Sequence, residues 1–123
     1  MALVNQVTKK VKMSLTSVVK YQILTYCYLN DINVTNSDLD CLTLLALEGE
    51  TELTEFCNLG YDNDIFKSPQ SVRNAITKAE KKGLVVKHGD GRKVIEINPQ
   101  MSVQTAAPIL LDFKFAAVES KEK

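Results

Sequence analysis

Residues 68–85 read SPQSVRNAITKAEKKGLV, and this segment has the clearest helix boundaries in the chain. Ser68 is a favourable N-cap, because its hydroxyl can accept a hydrogen bond from a backbone N–H of the first turn. Pro69 suits the first helical position, where a missing N–H removes no hydrogen bond. Gly83 follows the last turn, where a left-handed residue often ends a helix. The segment therefore predicts a helix over 68–82.

This predicted helix has two chemically different faces. Its apolar residues recur at spacings of three and four, which is the period of one helix face packed on a core. They are Val72, Ala75, Ile76 and Ala79. The remaining positions are polar and mostly basic, and they are Gln70, Arg73, Asn74, Thr77, Lys78 and Lys81. The pattern predicts an amphipathic helix with a basic exposed side.

The residues that follow Gly83 change to strand-forming types. LVVK and KVIEIN are rich in β-branched residues and are joined by HGDGR, whose two glycines favour a turn, so residues 84–98 predict a β-hairpin. Further on, residues 109–115 read ILLDFKF, with Leu111, Phe113 and Phe115 on one side of an alternating pattern. We expect a strand there, either as the outer strand of the hairpin's own sheet or as an addition to the sheet edge of a neighbouring copy.

Three further helices are predicted before residue 68. The first lies in VVKYQILTYCYLN at 18–30, after Ser14. The second begins at the N-cap Ser37, with acids in its first turn, and ends at Gly49. The third, shorter helix is ELTEFCN, which Thr51 would cap and Gly60 would close. The whole chain is expected to be a single domain over 1–123, divided into an N-terminal basic segment and helix (1–36), a central unit (37–98) and a C-terminal strand and tail (99–123).

The order of helices followed by a hairpin resembles the winged helix-turn-helix fold of MarR-like proteins. SPQSVRNAITKAEKKGLV and the turn sequence GDG carry the resemblance, which covers roughly residues 37–98. It implies an α+β fold of three to four helices with a small antiparallel β-wing. It also implies a recognition helix at 68–82, where Gln70 and Asn74 would reach adenine edges and Arg73 a guanine edge. Phosphate contacts would come from Lys78, Lys81, Lys82, Arg92 and Lys93.

The charges are segregated along the chain. The 15 basic and 15 acidic residues give a formal net charge of zero, which argues against a general nucleic-acid binder. Residues 31–64 hold nine acids and no base, whereas residues 67–93 hold eight bases against Glu80 and Asp90, a net charge of +6. The two blocks favour either a basic DNA-reading surface or a contact between oppositely charged faces of neighbouring copies.

A second resemblance favours the contact between copies. GETELTEFCNLGYDNDIFKSPQSVRNAITKAEKKGLVVK, with INPQMSVQTAAPILLDFKF, resembles small proteins encoded among virion genes of crAss-like tailed phages of Bacteroidetes. That resemblance implies a virion structural protein in a ring or head-tail connector near the portal, with other virion proteins and copies of itself as partners. The location would be the virion or the host cytoplasm. The alternative is a sequence-specific dsDNA-binding transcriptional regulator.

Catalytic and metal-binding patterns are not evident in the sequence. His88, the single histidine, has no serine, cysteine or carboxylate partner that its spacing identifies, so we expect no enzyme. The acids at 38–40 and 62–64 are interpreted as helix-capping and turn residues, since the second group lacks the glycine and glutamate of a calcium loop. No cofactor, metal site or membrane partner is predicted. The three cysteines, Cys27, Cys41 and Cys57, are interpreted as reduced core thiols.

Overall fold

The structure, a computed structural model, describes residues 3–6, 13–106 and 114–117. The elements in chain order are β1 (Leu3–Gln6), α1 (Leu15–Leu29), α2 (Asn36–Glu48), β2 (Thr51–Glu52), α3 (Leu53–Asp62), α4 (Pro69–Lys81), β3 (Val85–His88), β4 (Val94–Ile97) and β5 (Lys114–Ala117). The prediction of an α+β fold with four helices and a small antiparallel sheet is confirmed. None of the described helices is long and apolar enough to cross a membrane.

The core lies between the four helices and the inner face of a three-stranded sheet. Its largest fully buried side chain is Phe56 of α3, which lies among buried aliphatic residues from the neighbouring elements. All three cysteines are buried and unpaired, as the sequence predicted. Ile23 of α1, Leu42 of α2 and Ile76 of α4 are fully buried, so each helix contributes one apolar face to the same core.

Two antiparallel sheets are present in the described residues. The first has the strand order β2-β4-β3, in which β3 and β4 form the predicted hairpin and β2 pairs with β4. The second pairs β1 with β5, from Leu3 opposite Ala117 to Gln6 opposite Lys114. The prediction that the C-terminal strand is the outer strand of the hairpin's sheet is therefore wrong, because β2 has that place. Of the predicted 109–115 strand, residues 109–113 lie outside the described residues.

Two of the predicted helix starts are displaced. α2 is capped by Thr35 and not by Ser37: the Thr35 hydroxyl accepts from the Asp38 N–H at 3.1 Å, and the Asp38 carboxylate accepts from the Thr35 N–H at 3.2 Å. This reciprocal pair satisfies two backbone donors at once, whereas Asp40, the equivalent partner for a cap at Ser37, pairs with Lys20. α3 is capped by Glu52, whose carboxylate accepts from the Glu55 N–H, while Thr51 belongs to β2.

Gly60 does not end α3. The helix continues to Asp62, and Asn63 caps its C-terminus by donating from its side-chain amide to the Leu59 carbonyl at 2.8 Å. Gly60 instead lies where the backbone of α3 closely approaches Val72 of α4. A Cβ at this position would lie 3.0 Å from both methyl groups of Val72, so glycine lets the two helices approach.

Candidate nucleic-acid interface

α4 is fixed at both ends by the residues that the sequence singled out. The Ser68 hydroxyl accepts from the Ser71 N–H at 3.1 Å, and Pro69 is the first helical residue. At the other end Gly83 has a φ of 79°, and the Leu84 N–H donates to the Ala79 carbonyl at 3.0 Å. This backbone reversal leads directly into β3. The position of the helix relative to the hairpin is therefore set by local hydrogen bonds.

The surface of α4 that faces away from the core is a line of four residues, which we call the outer ridge. Its members are spaced four, three and four apart, so they share one helix face opposite the buried Val72 and Ile76. They are Gln70, Asn74, Thr77 and Lys81. Gln70 Nε2 donates to Asn74 Oδ1 at 3.0 Å, and Thr77 Oγ1 donates to the Arg73 carbonyl at 3.1 Å. The two amides therefore form one exposed polar unit.

Arg73 lies beside the ridge, on the side that faces α3. Its Nη2 donates to Thr54 Oγ1 at 3.3 Å, and Thr54 belongs to the first turn of α3. The side chain is half-buried. The structure thus places Arg73 next to the ridge and ties its guanidinium to the neighbouring helix.

Lys78 and Lys82 lie on the opposite side of α4, which we call the α2 flank. Lys78 Nζ is 3.3 Å from Asp38 Oδ2, and Lys82 Nζ donates to the Asn33 carbonyl. The Asp38 side chain is 11% exposed and also caps α2, whereas the Lys78 side chain is 52% exposed. Both predicted phosphate contacts on this flank have intramolecular acceptors, and the structure does not bring them onto the outer ridge.

Cys41 lies directly beneath the α2 flank, beside Asp38, Lys78 and Lys82 in a small crevice. Burial, with smaller contributions from the nearby Asp38 carboxylate and Cys57, raises the pKa of the Cys41 thiol to about 12. A thiol with such a pKa stays protonated near neutral pH and is a poor nucleophile. Cys41 is therefore a packing residue of this flank.

The turn between β3 and β4 carries the two remaining predicted residues. The Arg92 guanidinium pairs with the Glu80 carboxylate on α4, and Lys87 Nζ is 3.4 Å from the same carboxylate. Arg92 nevertheless keeps 68% of its side chain exposed. Lys93 is exposed. Glu80 thus connects the hairpin turn to α4 and holds both at one surface.

The basic residues of 67–93 fall into two groups. Five have an intramolecular acceptor, as described above: Arg73, Lys78, Lys82, Lys87 and Arg92. Within residues 3–6, 13–106 and 114–117, the other three form no ion pair: Lys67, Lys81 and Lys93. These three cations lie before the start of α4, on its outer ridge and in the hairpin turn.

One constellation was missed by the sequence prediction, which assigned His88 no carboxylate partner. His88 Nε2 lies 3.0 Å from Glu50 Oε2 and 2.9 Å from Glu96 Oε2. The three residues come from the segment before β2, from the end of β3 and from β4. In the hairpin register Val86 is opposite Glu96, so His88, two residues after Val86, is diagonal to Glu96 on the same face of the sheet. This relation could be predicted once the register was known. The approach of Glu50 depends on β2, which the sequence did not reveal.

Comparisons with known proteins bear on the fold. The sequence matches no family model and no curated protein. Among solved structures, the chain is similar to a zinc uptake regulator complexed with zinc and DNA, with a TM-score of 0.55 and 19% sequence identity. The similarity covers 69% of this chain and 57% of that chain.

This likeness contradicts the prediction of a virion ring or connector protein. The solved structure that shares the architecture is a regulator in complex with DNA, and the comparisons give no support to a phage virion protein. The four helices, the three-stranded antiparallel sheet and this structural similarity together show that the chain has a winged helix-turn-helix fold.

Proposed function

We propose that this protein binds double-stranded DNA sequence-specifically, as a transcriptional regulator, through α4 and the hairpin turn of the wing. The observation that carries the proposal is the outer ridge: polar side chains that serve no core contact, displayed on a helix fixed at both ends and accompanied by unpaired cations. The winged helix fold supports it, since the solved structure of similar fold is a regulator in complex with DNA. The function proposed is binding and not catalysis.

The dimensions of α4 suit the major groove. Its 13 residues make a helix about 20 Å long, and a major groove about 12 Å wide admits an α-helix. Gln70 and Asn74 carry amides that can pair with the edge of adenine, and Arg73 carries the fork that pairs with guanine. Because Gln70 and Asn74 already bond to each other, they would approach a base pair as a unit.

The phosphate contacts would come from three places around the ridge. Lys81 and Lys93 are exposed cations, and the N-terminus of α4 offers backbone N–H groups to an anion. Lys78, Lys82 and Arg92 form intramolecular contacts that are partly open to solvent, so they would contribute only by exchanging a protein acceptor for a phosphate. We place the whole DNA-binding unit within residues 37–98 of a single domain.

The test separates base reading from phosphate attraction. A preferred site is first selected from a random duplex pool, and affinity for that site and for a scrambled duplex is then measured by fluorescence anisotropy at about 50 and about 200 mM salt. Arg73→Lys keeps the charge and loses the bidentate fork. We expect it to reduce discrimination between the two duplexes by about tenfold while the salt dependence stays as in the wild type.

Lys20→Ala is the matched control, because it removes one cation from α1, where Lys20 pairs with Asp40 at 2.9 Å. It should change neither discrimination nor salt dependence. Failure of the selection to enrich any sequence would contradict the proposal. So would a wild-type affinity that does not fall between the two salt concentrations.

A further inference from the structure

The outer face of the wing sheet brings His88 together with two carboxylates, one from β4 and one from the residue before β2. Within β3 and β4, Val86 is opposite Glu96, so His88, two residues on, is diagonal to Glu96 on the same face. Thr51 is opposite Ile95, which places Glu50, one residue earlier, beside Glu96. The ligand-type atoms of Glu50, His88 and Glu96 lie within 4.8 Å of one another. The residue before β2 therefore meets β3 and β4 at this point.

The charge of this group is not balanced by the protein. Two glutamates at neighbouring cross-strand positions repel each other, which destabilises a sheet unless something lies between them. Among the described residues, no lysine or arginine forms an ion pair with Glu50 or Glu96; the ion-pair partner of both is His88 Nε2. With the imidazole neutral, the group carries a net charge of −2. A single Nε2 proton cannot satisfy both carboxylates, so the arrangement calls for a cation.

We propose that Glu50, His88 and Glu96 form a binding site for a divalent transition-metal ion of the zinc class. The ligands would be His88 Nε2 and one oxygen from each glutamate, with water completing the coordination. Three protein ligands plus an open position is a common zinc arrangement. This inference goes beyond the proposed DNA binding and does not depend on it.

The geometry is close to what such an ion requires. Zn–N and Zn–O distances of about 2.1 Å in a tetrahedral site place neighbouring ligand atoms about 3.4 Å apart. The two Nε2 to oxygen distances here are 3.0 and 2.9 Å, so the ligand atoms need to separate by a few tenths of an ångström. The Glu50 side chain is 60% exposed and His88 is 42% exposed, which leaves both free to adjust.

The ligand types limit the choice of metal. An imidazole nitrogen suits zinc, iron and nickel better than magnesium or calcium, which prefer all-oxygen sites. No thiolate is available at the site, because the three cysteines are buried in the core. The ion would join the residue before β2 to β3 and β4 close to the hairpin turn, so its binding should order the turn that carries Arg92 and Lys93.

The first experiment is calorimetric titration of the reduced full-length protein with Zn²⁺, followed by thermal unfolding with and without the ion. We expect one ion per chain and a rise in unfolding midpoint of at least about 4 °C at saturating zinc. His88→Ala, Glu50→Gln and Glu96→Gln should each weaken binding by at least about tenfold, since even residues that only support a ligand cost about 10- to 100-fold. Glu48→Gln, an exposed glutamate at the end of α2, is the matched control and should bind as the wild type does.

X-ray absorption of the zinc-loaded protein then identifies the ligands. The inference predicts nitrogen and oxygen neighbours and no sulfur. It would be overturned by sulfur in the coordination sphere, by wild-type affinity in the His88→Ala variant, or by the absence of saturable zinc binding to the folded wild type. Each of these outcomes leaves the DNA-binding measurements unaffected, so the two proposals can fail separately.

Discussion

The outer ridge and the α2 flank of α4 carry similar residues in different surroundings. Lys81 on the ridge is exposed and makes no ion pair among the described residues, while Lys78, three positions earlier, is paired with the buried Asp38. The flank also covers Cys41 and includes Lys82, which donates to the Asn33 carbonyl, whereas Gln70 and Asn74 on the ridge are exposed and bond to each other. The same helix thus stabilises the fold with one side and offers a surface with the other. The net charge of a sequence segment therefore overstates the number of cations that are available to DNA phosphates.

The largest expected effect comes from separating α4 from α3, because both the ridge and the flank depend on that contact. Gly60→Val inserts a branched side chain where even a Cβ would lie 3.0 Å from the Val72 methyl groups. We expect the free energy of unfolding to fall by about 3 kcal/mol in a urea titration. Asn58→Val, at an exposed position of the same helix, should change it by less than about 0.5 kcal/mol. Equal effects of the two variants would show that the helices do not pack as described.

The next effect is specific to the flank. Asp38→Ala removes the acceptor for the Thr35 N–H and the partner of Lys78, so we expect a loss of about 1–2 kcal/mol in the free energy of unfolding. Asp40→Ala breaks only the exposed pair with Lys20 and should lose less than about 0.5 kcal/mol. Because Lys78 is released, the DNA affinity of folded Asp38→Ala should not decrease. A decrease in that affinity would mean that the flank itself contributes to the DNA surface.

The alkaline stability of the protein tests the packing beneath the flank. The pKa of Cys41 is raised in the folded state from about 9 to about 12, so the unfolded chain loses this proton first as the pH rises. The stabilising contribution is fully present below about pH 9 and is lost between about pH 9 and 12, at up to about 1.4 kcal/mol per pH unit. Cys41→Ala should remove this part of the slope between pH 9 and 10, measured in parallel with the wild type. An unchanged slope would mean that the thiol titrates alike in both states.

The smallest expected effect distinguishes Lys81 on the outer ridge from Lys78 on the α2 flank. Lys81→Ala should reduce the salt dependence of DNA binding by about one unit of the logarithmic slope, because one phosphate contact is lost. Lys78→Ala should leave the slope nearly unchanged and lower the free energy of unfolding by less than about 1 kcal/mol, since its pair is half exposed. Anisotropy titrations at four or more salt concentrations give both slopes. Equal losses of slope would show that the flank and the ridge contact DNA alike.

The local signals in the sequence were sufficient for α4 and the hairpin. Ser68 and Pro69 begin α4, and Gly83 ends it, through interactions with residues in the adjacent turn. The structure shows each of them in the predicted position. The N-cap of α2 was harder to predict from the sequence, because Thr35 and Ser37 both have a suitable hydroxyl. Each is also followed by an aspartate three residues later, so the sequence allows two reciprocal caps, and the structure forms the one between Thr35 and Asp38. The nine predicted surface residues remain a proposal as a DNA-binding set.

The sequence by itself determined the α+β architecture, the buried face of α4 and the segregation of charge, because these depend on periodicity and on residues close together in the chain. Tertiary structure decided which glycine ends a helix and which lets two helices meet. It also decided which lysines are paired and which three side chains surround His88. Those outcomes depend on contacts between residues as distant as Glu50 and His88 or Asp38 and Lys78, and such contacts form only when separate elements pack together.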